Sequence, residues 1–508
     1  MQHTIAENSY SKKLSGYFLL ILLALAVSGA AWTFGSFDLK WAIFSLLGLI
    51  FPFALMLAQD VRRFMIGMLI FAIPLNADYN FMFHPSTSGA DSFSVGLTDI
   101  LLFILLAHWL FTLPKSERPG AVKFFPRISA PTLALLVLSA VSILAARDLL
   151  WSAFDLLNFT KTFLLFFYLA NNIKSRRDIS LVLNALFLGL IVQTVIVYLQ
   201  YIKGSHLGLL GLGEASRIID FEMEAANLSR PGGTIGHCNH LARYIGLIIP
   251  ISIALLLTGE TRFQRAFAGL TSLAGIVALI YTLTRSSWIA LALSILVVLY
   301  LIFRKNLISM RTMFKISITA MAMAVIIALF SQVIWGRITT YDKGSAKTRI
   351  TTAKVAWNIF QAHPLIGVGI NNYGTMLPEY WNSEDSFTRR AAVHNTYLLY
   401  LAEIGIFGFA VFLWLLIAFY SSAKNAMASR SAYLKIVAIG IMGSFAGYLV
   451  SALGDKSYKE NFTLLLVFWS LAAIIEAINR MNRESENIFY ALLENEKDLW
   501  IPDKSPAL

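Results

Sequence analysis

Charge is scarce in this chain. Only 14% of its 508 residues are Asp, Glu, Lys or Arg, where a soluble protein of ordinary composition carries about 25%. A water-soluble globule is therefore excluded. Cysteine is nearly missing too. Cys238 stands alone, so no internal disulfide framework can form and the redox compartment is not readable from it. No Asp-x-Asp occurs, which removes the usual mark of a metal-bound nucleotide-sugar site. A G-x-x-x-x-G-K-[ST] phosphate loop is also missing, which argues against ATP hydrolysis, and without a Gly-x-Ser-x-Gly elbow a hydrolase has no support. The net charge of +12 would suit nucleic acid, but no nucleic-acid motif accompanies it. Cytoplasmic loops that collect Lys and Arg account for it better.

What is present is apolar sequence: 57% of the residues are hydrophobic. A bilayer-spanning helix needs about 20 apolar residues. Backbone groups in lipid must be paired within the element, and these runs are continuous rather than alternating, so helices are predicted. Spans are expected near 14–34, 41–58, 64–77, 96–113, 129–146, 153–172, 179–201, 241–258, 266–283, 287–303, 314–333, 395–420, 434–452 and 462–478. That is about 14 spans, or 12 to 14 if the short third run and the tightly joined ninth and tenth are merged. The first run follows Lys12-Lys13 and exceeds the roughly 7–15 residues of a signal-peptide core, so it reads as an uncleaved span. Arg62-Arg63, Lys115 to Arg127, Lys174 to Arg177, Arg262 with Arg265, Arg304 to Lys315, Lys424 to Lys435 and Arg480 with Arg483 fall on one side. The positive-inside rule makes that side, and both termini, cytoplasmic.

Two segments on the other side break the bias, Lys203 to Asn239 and Ile334 to His394. At roughly 35 and 60 residues they exceed what a connection needs. The second holds Trp335, Trp357, Tyr373, Tyr380 and Trp381, so it is expected to fold. Helical spacing runs from Ser345 to Ala362 and is broken by Pro364-Leu365-Ile366-Gly367-Val368-Gly369. No internal repeat is visible, which weakens a transporter reading.

Arginines gather on the outer side: Arg217, Arg230, Arg243, Arg285, Arg337, Arg349, Arg389 and Arg390. Arg285, in Thr284-Arg285-Ser286-Ser287-Trp288, is wedged between two apolar runs and must face a wet cavity or a fixed anion. Its planar fork suits phosphate oxygens. Each arginine alone could instead snorkel to headgroups; several on one face favour a shared anionic ligand. Lys161 lies inside the sixth span, six residues after Asp155, and either pairs with an acid or faces the ligand. His237-Cys238-Asn239-His240 has metal-like residues but lacks a full ligand set. His394 closes the long loop, just before an apolar helix. It serves either as a base, since an imidazole accepts a proton near neutrality, or as a helix-capping residue.

His394-Asn395, then Gly405 and Gly408, resemble the signature of the O-antigen ligase and O-antigen polymerase superfamily. Arg230 to Ala242, Thr282 to Trp288, and Arg349 with His363 to Gly369 resemble further segments of that family. The resemblance implies an all-α polytopic membrane protein of the GT-C-like class with a large, partly helical periplasmic loop. It divides the chain into N-terminal membrane helices (1–230), a catalytic region (231–420, with the outer loop 334–394) and C-terminal helices with a cytoplasmic tail (421–508). It implies an inverting, metal-independent glycosyltransferase of the bacterial inner membrane that needs no cofactor. The donor would be an undecaprenyl-diphosphate-linked glycan, and the acceptor a glycan or lipid A–core. Membrane lipids and a chain-length regulator protein are the remaining expected partners, with no nucleic acid. His394 would be the base. Arg285 and Arg349 would hold the diphosphate, with Arg230, Arg243 and Lys161 as further candidates, and Asn395, Glu403 and Asn239 would support them. Phe409-Ala410 stand where ligases often carry two threonines; this and the span count lean toward a polymerase over a ligase. A protein O-oligosaccharyltransferase, a lipid-linked glycan flippase or transporter, and a structural subunit of an export complex stay open.

Overall fold

The computed structural model describes residues 59–112, 122–215, 219–223, 226–307, 345–381 and 392–498, with scattered helical positions between 310 and 335. The spans expected at 14–34 and 41–58 lie outside these residues, as do Arg217, Arg337, Arg389 and Arg390, and the span at 314–333 is described only at scattered positions.

Helix α1 (Val61–Ala72) leads into a hairpin, β1 (Asp78–Phe81) paired antiparallel with β2 (Phe93–Gly96), and then α2 (Leu97–Thr112). After α3 (Pro126–Ser142), α4 (Leu149–Asn172) and α5 (Arg176–Lys203) comes a second hairpin, β3 (Ile219–Met223) with β4 (Ala226–Arg230). Next follow α6 (Cys238–Thr258), α7 (Arg262–Tyr281) and α8 (Arg285–Arg304). The outer segment carries α9 (Ser345–Ala362) and α10 (Tyr373–Tyr380). The chain closes with α11 (Thr396–Ala426), α12 (Ala432–Leu453), a single turn α13 (Ser457–Glu460) and α14 (Phe462–Asp498). Among the described residues nine helices are long and apolar enough to cross a membrane, so the chain is a mostly helical, multi-pass membrane protein. The third expected span ends early: α1 stops at Ala72, and residues 78–96 form the hairpin instead.

Polar residues mark where helices start. Asp148 accepts hydrogen bonds from the backbone N–H groups of Leu150 and Trp151, and Ser175, Thr261, Asn395 and Ser431 cap α5, α7, α11 and α12 in the same way. Such caps contribute about 1 kcal/mol each. The bundle centre is built on α12. A Cβ at Gly440 would lie 2.6 Å from Ile251 Cα, and one at Gly443 2.4 Å from a Val298 methyl. Small residues there let α6 and α8 approach closely, which is how apolar helices associate in lipid. A second, smaller core joins Val355, Ile359, Tyr373 and Leu377 of the outer segment to Leu399 and Ala402 of α11.

Helix α11 is interrupted. Gly405 has φ 64° and ψ −169°, a backbone conformation that L side chains avoid. The helical ladder is replaced there by the Pro364–Gly369 segment. Val368 N–H donates to Ala402 O at 3.1 Å and Gly369 N–H to Glu403 O at 2.9 Å, while Ile406 N–H donates to Pro364 O at 2.9 Å. The glycine-rich stretch and Gly405 are therefore two halves of one joint.

Candidate functional site

The expected motifs meet at one end of the bundle, and the short segment between α12 and α14 binds them together. Asn395 caps α11, accepting from Leu398 N–H at 2.9 Å, and donates to Leu453 O at 3.0 Å. Thr396 donates to Asp455 O at 2.7 Å. His394, immediately before, is half-buried, and its Nδ1 is buried with no hydrogen-bond partner among the described residues. Burial pulls its pKa below 6.5; Asp455 and Glu460 raise it, while Lys456 and Arg349 lower it further. The balance keeps the imidazole neutral near pH 7. Arg349 stands exposed in the first turns of α9, and Arg285 half-buried at the start of α8.

Arg243 is buried. Its guanidinium lies 2.9 Å from the Asp455 carboxylate and donates to Asn239 O at 2.9 Å and to Ser286 Oγ at 3.4 Å. Burial alone would raise the Asp455 pKa, but Arg243 and the hydrogen bonds from Ser457 hold it down at about 2. Asp455 is thus a fixed anion and Arg243 its counter-ion. Arg230 donates to Thr282 O at 2.9 Å, to Asn239 Oδ1 at 3.2 Å and to Thr284 Oγ1 at 3.3 Å. Asn239 is therefore the hub that holds the turn before α8. Neither histidine of the 237–240 run is arranged as a ligand. His237 Nδ1 accepts Asn239 N–H at 3.0 Å, capping α6, and His240 Nδ1 sits 3.2 Å from Asn461 Nδ2. Burial, with His240 and Arg230 adding to it, pushes the His237 pKa down to about 4.

Lys459 is the cluster's second anchor. Its ammonium lies 2.8 Å from Asp155 and 2.8 Å from Glu403, with both carboxylates and the lysine buried. Burial works to lower its pKa, yet the two carboxylates more than offset this and raise it above the ordinary value. Glu403 also accepts Tyr373 N–H at 3.3 Å, so the triad ties α4, the interrupted α11, the outer segment and the 455–461 segment together. Lys161 pairs elsewhere. It lies 3.0 Å from Asp99 and donates to Ser94 O at 2.5 Å, so its partner is Asp99 and not Asp155.

Other residues here escape sequence reading. Asn371, at φ 60°, accepts from Ser86 and Ser88 and donates to Ala90 O and Trp151 O. Asn372 binds Asp148 O and Ser152 Oγ. Lys456 donates to Thr87 O at 2.5 Å and pairs with Glu460 at 3.1 Å. The one available signal was four charges within six residues, Asp455 to Glu460, set between two apolar runs. The site thus draws on residues 86–90, 155 and 455–461, outside the 231–420 region.

Chemically, the arrangement offers a neutral imidazole within electrostatic reach of Arg349, above buried, mutually compensated ion pairs. Residues 270–413 match the family model described as O-antigen ligase. The matched stretch contains Arg285, Arg349, His394, Glu403, Gly405 and Gly408, and it bears out the resemblance to the O-antigen ligase and polymerase superfamily. None of the curated proteins matches the chain.

Proposed function

We propose that this membrane protein of the O-antigen ligase and polymerase superfamily transfers a glycan from a lipid diphosphate to an acceptor hydroxyl at the His394 end of the bundle. The observation that carries this reading is the half-buried, neutral His394, whose charged surroundings include Arg349, inside the family-matched stretch. The acceptor oxygen attacks the anomeric carbon of the donor sugar, and its proton passes to the His394 imidazole. The bond from that carbon to the phosphate oxygen breaks, and the lipid diphosphate leaves with the electron pair. Arg285 and Arg349 neutralise the leaving group. Attack opposite the leaving group inverts the anomeric centre. Diphosphate departs readily, so a base and guanidinium groups suffice without a metal or cofactor. Arg230 and Arg243 act one step back, holding the turn around Arg285 through Thr282, Thr284 and Ser286, while Lys161 is paired with Asp99.

The charge pattern supports an orientation with this end on the periplasmic face of the inner membrane and both termini in the cytoplasm. Repeat-unit polymerisation is the leading reading, because Phe409-Ala410 replace the threonines frequent in ligases. Ligation to lipid A–core is the second, favoured by the description of the matched family. The test is purified protein with undecaprenyl-diphosphate oligosaccharide, with and without lipid A–core, resolved on gels. Self-extension identifies a polymerase, and transfer only to core a ligase. His394→Ala and Arg285→Ala are expected to stay folded and to abolish transfer; wild-type ladders from both would overturn the reading.

A further inference from the structure

Helix α11 runs 31 residues, Thr396–Ala426, across its interruption at Gly405. His394 sits just before its first residue, and a cleft of about 730 Å³ opens at its other end. Arg127, Arg176, Arg430 and Arg483 line the cleft from four different parts of the chain, together with Ser429 and Asn482. Three helices also begin at its wall. Arg127 is in the first turn of α3, Arg176 is the first residue of α5, and Ser431 caps α12. These helices are 17, 28 and 22 residues long, so each directs the positive end of its dipole toward the same space. The start of α3 has no side-chain cap.

Among the described residues, the acidic side chains nearby take up part of this charge, and Arg430 has an interaction of its own. Glu260 takes Arg176 at 2.6 Å, and Glu484 takes Lys123 at 2.5 Å. Glu486 also lines the wall. The buried Glu476 accepts from Ser422 at 2.5 Å, in the electrostatic reach of Arg127 and Arg483. Ser429 donates to Asn482 at 2.7 Å, so the floor is pre-ordered by its own polar contacts.

We infer that this cleft is a binding site for a multiply charged phosphate group, set at the bundle end remote from His394. Guanidinium forks and helix N-termini are the two protein elements best matched to phosphate oxygens. A basic pocket between membrane helices at headgroup depth fits the phosphates of an anionic phospholipid. Free diphosphate presents the same chemistry from solution. The inference stands apart from the transfer reaction and survives if that reading fails.

The test uses full-length protein, delipidated in detergent, and the variant Arg430→Gln/Arg483→Gln. Both side chains are exposed, so folding is expected to be intact and is checked by melting temperature. Native mass spectrometry follows titration with cardiolipin, with phosphatidylcholine, and with inorganic diphosphate alone. Tight cardiolipin binding that weakens by about 30-fold in the variant, at roughly fivefold per arginine removed, is the result expected of a headgroup site. Diphosphate bound without lipid, and lost in the variant, assigns the same site to a soluble phosphate. Equal retention of phosphatidylcholine and cardiolipin, or an affinity for both phosphate ligands that the variant leaves within twofold, overturns the inference.

Discussion

Replacing Gly405 by alanine tests the joint between the outer segment and α11, because two structural readings predict opposite signs. In an uninterrupted helix, Gly→Ala stabilises by up to about 1 kcal/mol. Here the residue sits at φ 64°, ψ −169°, where a side chain costs about 1–3 kcal/mol. The new Cβ would also lie 2.3 Å from Leu365 O, 2.4 Å from Leu365 C and 2.6 Å from Ile366 N. All three are backbone atoms, so no rotamer change relieves the contact. Moving them away breaks the bond from Ile406 to Pro364 and loosens those from Val368 and Gly369, at about 1 kcal/mol each. Gly405→Ala is therefore expected to cost about 3–5 kcal/mol. The assay is equilibrium unfolding in mixed micelles followed by tryptophan fluorescence. Gly246→Ala is the control: Gly246 lies inside α6 with open space at its Cβ position, so that change is neutral or mildly stabilising. A Gly405→Ala protein as stable as wild type would mean that α11 runs straight through residue 405, and the reasoning would fall.

Two further outcomes follow from the ion clusters. Lys459→Met leaves Asp155 and Glu403 buried without their cation and is expected to destabilise by about 3–5 kcal/mol. Adding Asp155→Asn and Glu403→Gln should recover most of that loss, so a triple variant no more stable than the single one speaks against the triad. In the proposed transfer His394 must be neutral to accept a proton, and a pH profile of the rate reads this. Burial holds its pKa below 6.5, so the rate should be level through neutrality and fall only as pH drops through a value under 6.5. Stability changes in the same sense, since below 6.5 the unfolded state takes up the proton more readily. An acid limb centred above 6.5 would contradict the assigned environment.

The membrane helices were legible because lipid forces continuous apolar runs, and the ends of α5, α6 and α12 fall within a few residues of the expected spans. The helix Ser345–Ala362 was legible from its spacing, as was the break after it. The convergence was not. Gly405 could be noticed as a motif, but its partner, the 364–369 segment, is fixed by tertiary hydrogen bonds that leave no local pattern. Asn371 and Asn372 look like ordinary loop residues until their contacts near residues 86–90 and 148–152 are known. Arg243 and Lys161 drew attention as intramembrane cations, yet their partners Asp455 and Asp99 lie 212 and 62 positions away.

The 455–461 segment also sets an order of events in the life of the molecule. Lys456 reaches Thr87 across 369 positions, and Lys459 reaches Ser88 across 371. These links close only after the segment that follows α12 has been synthesised. Until then Arg243 lacks Asp455, Glu403 lacks Lys459, and the floor beneath His394 has not been laid. A chain truncated before residue 455 would therefore keep Arg243 and Glu403 buried without Asp455 and Lys459.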